Sequence, residues 1–214
     1  MPTLTIPLAE EPTAETIRLA RLGTEGLVID RAKHYVAADL EPLGEVLAPR
    51  YEIIDGTLFV SPAPHLNFHQ HPLGELYFQL RLWLAAHPIG TVFLSPVDVV
   101  FSEDETVIPD LVFLSAEKAA RATGRAIEEV PDLLVEFLSP STAWYDRTLK
   151  RDLFEKHSVT EYWIVDARAR TVAQYRLRDG AYGAPTVLHA TDVLRSGVLP
   201  GFEVEVGTFL SEAG

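Results

Sequence analysis

The sequence contains no cysteine at all. Disulfide bonds, thiolate chemistry and zinc sites built on sulfur are therefore excluded. Any metal ion that this chain binds must be held by oxygen and nitrogen atoms.

Long hydrophobic runs are also missing. No apolar stretch approaches the roughly 18 residues that a membrane-spanning helix needs, and the N-terminal MPTLTIPLAEEPTAET lacks the basic start and apolar middle of a signal peptide. With 214 residues and 47% hydrophobic side chains, the chain can nevertheless bury one sizeable core. We therefore predict a soluble, cytoplasmic globular protein that does not bind membranes.

Basic residues are few, because 18 Lys and Arg stand against 31 Asp and Glu, for a formal net charge of -13. Affinity for phosphate backbones comes largely from Lys and Arg, so this balance disfavours non-specific binding to nucleic acid or to an anionic membrane. A local cationic strip or divalent ions could still offset the overall field in a nucleic-acid enzyme.

The chain divides by composition into an arm and a main domain. Residues 1–50 are rich in acidic residues, proline and alanine, and we predict that they form an arm ahead of one domain at 51–214. That domain begins with YEIIDGTLFVS, where Asp55-Gly56 is typical of a tight hairpin turn. A second such pair, Asp179-Gly180, predicts a later hairpin.

Helical and strand patterns alternate along the main domain. Apolar residues at helical spacing predict one helix in NFHQHPLGELYFQLRLWLAAH and a second in TAWYDRTLKRDLFEKH, before which SPST offers capping residues. Between them lie three strand-like runs, GTVFLSPVDVVFS, VIPDLVFLS and DLLVEFLS. EYWIVDA predicts a strand after the second helix, and VLHA and FEVEVGTFL predict an extra strand or edge segments in the tail. The predicted order is helix, three strands, helix, strand.

Two acidic residues occupy strand-like positions. Glu136 interrupts the apolar run LLVEF, and Asp110 follows Pro109 at the head of another apolar run. If these strands pair, the strands lie about 4.7–4.9 Å apart, and the two carboxylates repel unless a proton or a cation lies between them. Because Mg²⁺ favours one or two carboxylates, the pair suggests a metal site. In the alternative interpretation, Asp110 caps a turn and Glu136 points to solvent from a half-exposed sheet.

Asp146 and Lys150 are four residues apart on the second predicted helix, a spacing typical of a solvated surface ion pair. The helix begins only a few residues after Glu136, however, so its first turns can overhang the end of that strand. A lysine ammonium in that position could orient a water molecule or stabilise charge on a phosphoryl group.

His65, His69 and His71 form an H-x3-H-x-H pattern, which allows the weaker hypothesis of a zinc hydrolase with histidine ligands. Pro72 follows immediately, and the chain contains no HExxH motif. The alternative is that the imidazoles are exposed at the start of the first helix, where His69 remains a candidate site residue.

The ordered set YEIIDG, SPAPHLNFHQ, IPD, LLVEFLSPST, DRTLK and VTEYWIVDAR resembles the Uma-type restriction endonuclease family, which belongs to the PD-(D/E)XK nuclease superfamily. The resemblance extends over residues 51–182. It implies an α/β fold with a restriction-endonuclease-like core, in which helices flank a central mixed β-sheet, here with an N-terminal arm and extra C-terminal strands. It also implies an endonuclease that uses Mg²⁺ or Mn²⁺ to hydrolyse phosphodiester bonds of nucleic acid, with DNA as the favoured substrate.

The resemblance assigns metal-binding roles to three residues. Asp110 and Glu136 match the two acids of the superfamily, and the carbonyl of Phe137 is an expected additional ligand. One residue departs from the superfamily pattern. The superfamily has a lysine two residues after the second acid, and this chain has Leu138 there. In the family pattern a lysine on the following helix replaces the strand lysine, and Lys150 matches that helix position.

Asp146 would then hold Lys150 in position, and Glu52 and His69 match family positions for which we expect site-lining roles. The missing lysine after the second acid, together with the acidic balance, leaves open a function of another class, a catalytically inactive binding or regulatory module. A homodimer would suit cleavage of double-stranded DNA, because two sites could then address two strands.

Overall fold

The computed structural model describes His34, Val36 and residues 50–61, 66–139 and 143–210. The chain divides into two compact units, one consisting of Met1–Ala63 and Val100–Ile108, the other of Pro64–Val99 and Pro109–Gly214. Nearly all of the predicted N-terminal arm lies outside the described residues, as do His65 and the capping segment 140–142. The predictions made for these residues stay predictions.

The described residues contain strands and short helices in alternation. The strands, in chain order, are β1 (Arg50–Ile54), β2 (Thr57–Ser61), β3 (Gly90–Leu94), β4 (Val99–Ser102), β5 (Glu105–Val107), β6 (Leu111–Ser115), β7 (Leu133–Phe137), β8 (Glu161–Asp166), β9 (Thr171–Arg178), β10 (Ala181–Tyr182), β11 (Thr186–His189), β12 (Val193–Arg195) and β13 (Glu203–Glu205). The α-helices are α1 (His71–Ala86), α2 (Ala116–Arg121), α3 (Ala143–Tyr145), α4 (Arg151–Lys156) and α5 (Val206–Phe209), with π-helical turns at Leu66–Gln70 and Asp146–Lys150. Each π-helical turn runs directly into the α-helix that follows it. None of the described helices is long and apolar enough to cross a membrane.

The first unit contains a four-stranded sheet with the strand order β2-β1-β5-β4. Strands β1 and β2 form the antiparallel hairpin predicted at Asp55-Gly56, which is confirmed. The φ angles of these two residues are 49° and 70°, as a two-residue type I′ turn requires. Strand β1 also pairs with β5 through Ile53 and Thr106, and both side chains are buried.

The second unit is built on a seven-stranded mixed sheet with the order β10-β9-β8-β7-β6-β3, to which β11 adds by pairing with β9. Strands β7 and β8 are parallel, and the other neighbours are antiparallel. The predicted order of helix, three strands, helix and strand is confirmed by α1, β3, β6, β7, α4 and β8. The apolar stripe of α1 belongs to the same hydrophobic cluster as the centres of β7 and β8, and its residues are Leu73, Leu76, Leu80 and Leu84.

Two predicted strands are wrong as continuous elements. GTVFLSPVDVVFS divides into β3 and β4, and VIPDLVFLS divides into β5 and β6, with the members of each pair in different sheets. Pro96 and Pro109 lie at the two breaks, and proline has no N–H to donate to a strand ladder. In the tail, VLHA forms β11 as predicted, whereas FEVEVGTFL divides into β13 and the helix α5.

Candidate active site

Asp110 directly precedes β6, and Glu136 lies on β7, the strand that pairs with β6. The antiparallel register places Leu111 opposite Val135, and Asp110 and Glu136 are the next residues outward from this pair. Their side chains are almost fully buried, with exposed fractions of 0% for Asp110 and 3% for Glu136. The alternative in which Glu136 points to solvent is therefore wrong. In the alternative interpretation, Asp110 caps a turn. In the structure, Asp110 Oδ2 instead accepts a hydrogen bond of 2.8 Å from the backbone N–H of Phe137 on β7.

The buried imidazole of His69 orients the Asp110 carboxylate. The π-helical turn Leu66–Gln70 places His69 Nε2 2.9 Å from Asp110 Oδ2, so the same oxygen accepts two hydrogen bonds. The imidazole is tilted against the Phe137 ring at a centroid distance of 5.9 Å, and its Nδ1 is buried without a hydrogen-bond partner. The alternative in which the imidazoles are exposed at the start of the first helix is therefore wrong for His69.

The Lys150 ammonium is buried beside Glu136. Lys150 Nζ donates a hydrogen bond of 2.7 Å to Glu136 Oε1 and lies 3.8 Å from Asp146 Oδ1 and 5.2 Å from the centre of the Tyr145 ring. All four of these side chains are buried. The interpretation of Asp146 and Lys150 as a solvated surface pair is therefore wrong, because the π-helical turn directs both inward. Although position 138 is leucine, an ammonium still contacts the acid on β7.

Tyr162, on β8, fixes the turn that carries Lys150. Its hydroxyl donates a hydrogen bond of 3.0 Å to the backbone carbonyl of Asp146, and its ring lies edge-on to Phe154 of α4. Burial raises the pKa of Tyr162 well above its ordinary value of 10, and the nearby negative charges of Asp146 and Glu136 raise it further. A buried tyrosine hydroxyl usually has a hydrogen-bond partner. The sequence carries no signal that the partner of Tyr162 belongs to the lysine-bearing turn.

The cluster is rich in carboxyl groups. Asp110, Glu136 and Asp146 contribute three buried carboxyl groups, Lys150 contributes one buried ammonium, and the buried imidazole of His69 lies beside Asp110. Among the described residues, no group of three or more His, Asp or Glu side chains is placed to hold a metal ion. His65 lies outside those residues, so the zinc hypothesis for His65, His69 and His71 stays a prediction.

Glu52 belongs to the first unit, where its side chain is 2% exposed. Its Oε1 accepts a hydrogen bond of 2.8 Å from the backbone N–H of Ile108 in the same unit. This bond stabilises the segment that leads into Pro109 and Asp110 along the chain. The site-lining role of Glu52 stays a prediction.

Several arginines of the described residues are paired with carboxylates. Arg121 binds Glu117 and Glu129 at 2.8 Å, and these hydrogen bonds raise the pKa of its guanidinium. Arg151 pairs with the neighbouring Asp152. The Arg147 guanidinium lies 3.4 Å from a carboxylate oxygen of Asp166, a longer contact that lies beside the candidate site.

Comparison with solved structures agrees with the class of fold described above. The chain is similar to a crystal structure described as "a putative nuclease belonging to DUF820 from Anabaena variabilis ATCC 29413", with a TM-score of 0.64 and 20% sequence identity, over 75% of this chain and 89% of that chain. At this identity the similarity shows the fold, so the protein has an α/β fold of the restriction-endonuclease-like nuclease class, as predicted.

The family model Uma2, described as "Putative restriction endonuclease", matches residues 38–207. The chain belongs to this family, and the resemblance stated from the sequence motifs is confirmed. The match extends beyond residues 51–182 at both ends and includes the last part of the predicted arm. No curated protein matches the chain.

Proposed function

We propose that the protein is a divalent-cation-dependent endonuclease that hydrolyses phosphodiester bonds of nucleic acid, with DNA as its preferred substrate. The observation that carries this proposal is the pair of buried carboxylates on neighbouring segments, where Asp110 accepts a hydrogen bond from the residue after Glu136 and the Lys150 ammonium is hydrogen-bonded to Glu136. The family description and the description of the Anabaena variabilis protein support the same class of reaction.

The donor atoms fit a hard divalent cation. Three buried carboxyl groups lie near one buried ammonium and one buried imidazole, and a buried charge is costly unless other groups compensate it. Mg²⁺ or Mn²⁺ held by Asp110, Glu136 and the Phe137 carbonyl would add positive charge to this acidic cluster. These ligands are all oxygen atoms, and one or two carboxylates completed by carbonyls, water and substrate phosphate are what Mg²⁺ commonly takes.

The protein groups divide the remaining work. When bound, the divalent ion supplies positive charge against the charge that develops on the phosphate and lowers the pKa of a water molecule. His69 keeps the Asp110 carboxylate in one orientation. Lys150 presents an ammonium with several donors at Glu136, where it can orient the attacking water or stabilise a phosphate oxygen. Asp146 acts through Lys150 by holding its ammonium in place.

The direct test of this proposal is metal removal. We expect the purified protein to cleave DNA in Mg²⁺ or Mn²⁺ and to lose cleavage completely in EDTA, because the acidic cluster repels phosphate when no cation is bound. Single- and double-stranded DNA and RNA of one sequence should be compared on gels. Recovery with Zn²⁺ and not with Mg²⁺ would instead favour the histidine-based zinc hydrolase.

Absence of cleavage on every substrate, together with no calorimetric binding of Mg²⁺ at millimolar concentration, would favour the catalytically inactive module. The argument for that module from Leu138 is weakened by the contact between Lys150 and Glu136. Light scattering of the active protein would test the proposed homodimer.

Tyr162→Phe should impair both stability and catalysis. Removal of the hydroxyl takes one donor from the buried Asp146 carbonyl, and we expect a loss of about 1–2 kcal/mol in the free energy of unfolding. The turn that carries Lys150 is then less well fixed, so kcat should fall while KM changes little.

Tyr182→Phe is the matched control for this prediction. The Tyr182 hydroxyl is also buried and donates a hydrogen bond of 2.7 Å to a backbone carbonyl, that of Val159. Its removal should cost similar stability and leave kcat unchanged. Equal kinetic constants for Tyr162→Phe and Tyr182→Phe would contradict the positioning role of Tyr162.

A further inference from the structure

Large apolar side chains are exposed on the π-helical turn Leu66–Gln70 and on α3, which directly precedes the second π-helical turn. Phe68 directly precedes His69 and is 39% exposed, and Trp144 precedes Asp146 by two residues and is 66% exposed. The neighbours of these aromatic residues point inward, so the aromatic rings lie on the outer surface of segments whose inner surface forms the candidate site. Exposed aromatic residues at such positions cost solvation free energy and are typical of binding surfaces.

Two arginines lie near these rings in the structure or along the chain, close to the end of β8. The Arg168 guanidinium lies 4.5 Å from the centre of the Phe68 ring, and Arg168 follows closely after β8 ends at Asp166. Asp166 in turn contacts Arg147, which is adjacent to Asp146 in the π-helical turn. Trp144 lies three residues before Arg147 in the same helical stretch, and its carbonyl accepts a hydrogen bond of 2.7 Å from the Thr148 hydroxyl.

We define the aromatic rim as Phe68, Trp144, Arg147 and Arg168, and we propose that it binds unpaired bases of a nucleic-acid strand that lies across the candidate site. This inference rests on the proposed function and specifies its substrate class. Aromatic faces and guanidinium planes stack on bases of any sequence, and the arginines also attract the phosphates between them. Base pairs in an intact duplex hide both faces of each base, so the rim favours single strands and locally unpaired segments.

The rim also explains how a chain with a net charge of -13 can hold a polyanion. Stacking on an aromatic ring does not depend on net charge, and Arg168 adds a guanidinium over the Phe68 ring. Arg147 is paired with Asp166, as Arg121 is with Glu117 and Glu129, although the Arg147 contact is longer, at 3.4 Å against 2.8 Å. Aromatic surface and a guanidinium therefore coincide at Phe68.

The test measures binding separately from cleavage. Fluorescence anisotropy of a labelled single-stranded DNA is recorded with Ca²⁺ in place of Mg²⁺, beside a blunt duplex and a single-stranded RNA of the same sequence. We expect Trp144→Ala and Phe68→Ala each to weaken single-strand binding by at least about five-fold, the lower end of the range for one stacked base. Duplex binding should be unchanged. Equal affinity for the DNA and RNA single strands would show that the rim contacts bases and not the sugar.

Conservative and matched variants make the result specific. Trp144→Phe keeps an aromatic face and should retain most of the affinity, whereas Phe78→Ala, at a ring on α1 that is 56% exposed, should have no effect. Bases that stack on Trp144 should also quench its fluorescence, and Trp144→Phe should remove that quenching.

Single-strand affinity of Trp144→Ala and Phe68→Ala within about two-fold of the unchanged protein would overturn this inference, as would equal losses on the duplex. If the unchanged protein cleaves DNA in Mg²⁺ while these variants bind single strands normally, the proposed rim is wrong and the proposed nuclease function stands. If the unchanged protein neither binds nor cleaves any of the nucleic acids, both proposals are wrong.

Discussion

Glu136→Gln should abolish cleavage. The substitution preserves the size of the side chain and removes the negative charge that, in the proposed mechanism, holds the divalent ion and positions the Lys150 ammonium. We expect kcat/KM to fall by about 10³-fold or more, which corresponds to at least ~4 kcal/mol of lost transition-state stabilisation. The measurement is the initial rate of cleavage of a labelled DNA across a range of Mg²⁺ concentrations. Asp110→Asn should have an effect of the same order.

Glu161→Gln is the matched control, because Glu161 is a second buried glutamate in the same sheet. Strands β7 and β8 are parallel, and Glu161 lies opposite Leu133, at the end of the strand pair remote from Phe137. Its carboxylate accepts hydrogen bonds from Ser196, Trp163 and the Gly197 backbone, so it attaches the C-terminal segment to the sheet.

Glu161→Gln should therefore lower the midpoint of thermal unfolding and leave the kcat/KM of the folded protein unchanged. Cleavage by Glu136→Gln at the rate of the unchanged protein would exclude Glu136 from catalysis. Loss of cleavage in both variants would indicate that Glu136→Gln acts through the fold.

Divalent ions should also stabilise the protein through the same residues. A ligand that binds only the folded state raises the free energy of unfolding, by about 2.7 kcal/mol at 100 times its Kd. We therefore expect the unfolding midpoint to rise with Mg²⁺ in the unchanged protein and in Glu161→Gln, and to be insensitive to Mg²⁺ in Asp110→Asn. Differential scanning fluorimetry provides this measurement without any nucleic acid.

Local sequence patterns predicted most of the elements, because their signals are local. The positive φ angles at Asp55-Gly56 and Asp179-Gly180 follow from the residues themselves, and both hairpins form. The sequence on either side of Pro96 and Pro109 has strand-like composition, but composition does not show which sheet each strand joins. The assignment of the two halves to different sheets depends on tertiary packing, so each pair of strands was predicted as one.

The sequence identifies some residues of the candidate site and leaves the orientation of others undecided. A lone acid in the apolar run LLVEF is a strong anomaly, so Glu136 could be identified from sequence, and the pairing of β6 with β7 then brings Asp110 to the next residue, Phe137. The spacing of Asp146 and Lys150 is equally consistent with a surface pair and an inward-facing pair. The packing of their helical segment against β7 and β8 decides between them, through the contacts of Lys150 with Glu136 and of Tyr162 with the Asp146 carbonyl.

Lys150→Met should cause the largest loss of stability among the site variants. The ammonium and the Glu136 carboxylate are both buried, and removal of one partner leaves the other charge uncompensated in the interior. We expect the free energy of unfolding, measured by urea denaturation in EDTA, to fall by about 3–5 kcal/mol. Cleavage should fall as well, because the ammonium that contacts Glu136 is lost.

Lys118→Met provides the control for the loss of a lysine in an ion pair. Lys118 Nζ lies 2.7 Å from Asp132 Oδ1, the same distance as in the buried pair, but the two side chains are 27% and 17% exposed. Solvent screens this pair, so we expect a loss of about 1 kcal/mol or less and normal cleavage. A comparable loss in both variants would contradict the claim that burial, and not pairing alone, makes Lys150 important.

The double variant Glu136→Gln/Lys150→Met separates the cost of an uncompensated charge from the cost of altered packing. With both charged groups removed, no orphaned carboxylate remains at Glu136, and the double variant should be more stable than Lys150→Met alone despite carrying one more substitution. Addition of Mg²⁺ should recover part of the stability of Lys150→Met, since the cation would then compensate Glu136 and Asp110 together. Additive losses in the double variant, with no recovery in Mg²⁺, would mean that Glu136 is protonated in the folded protein, and a neutral carboxyl group would argue against a divalent-ion site at β6 and β7.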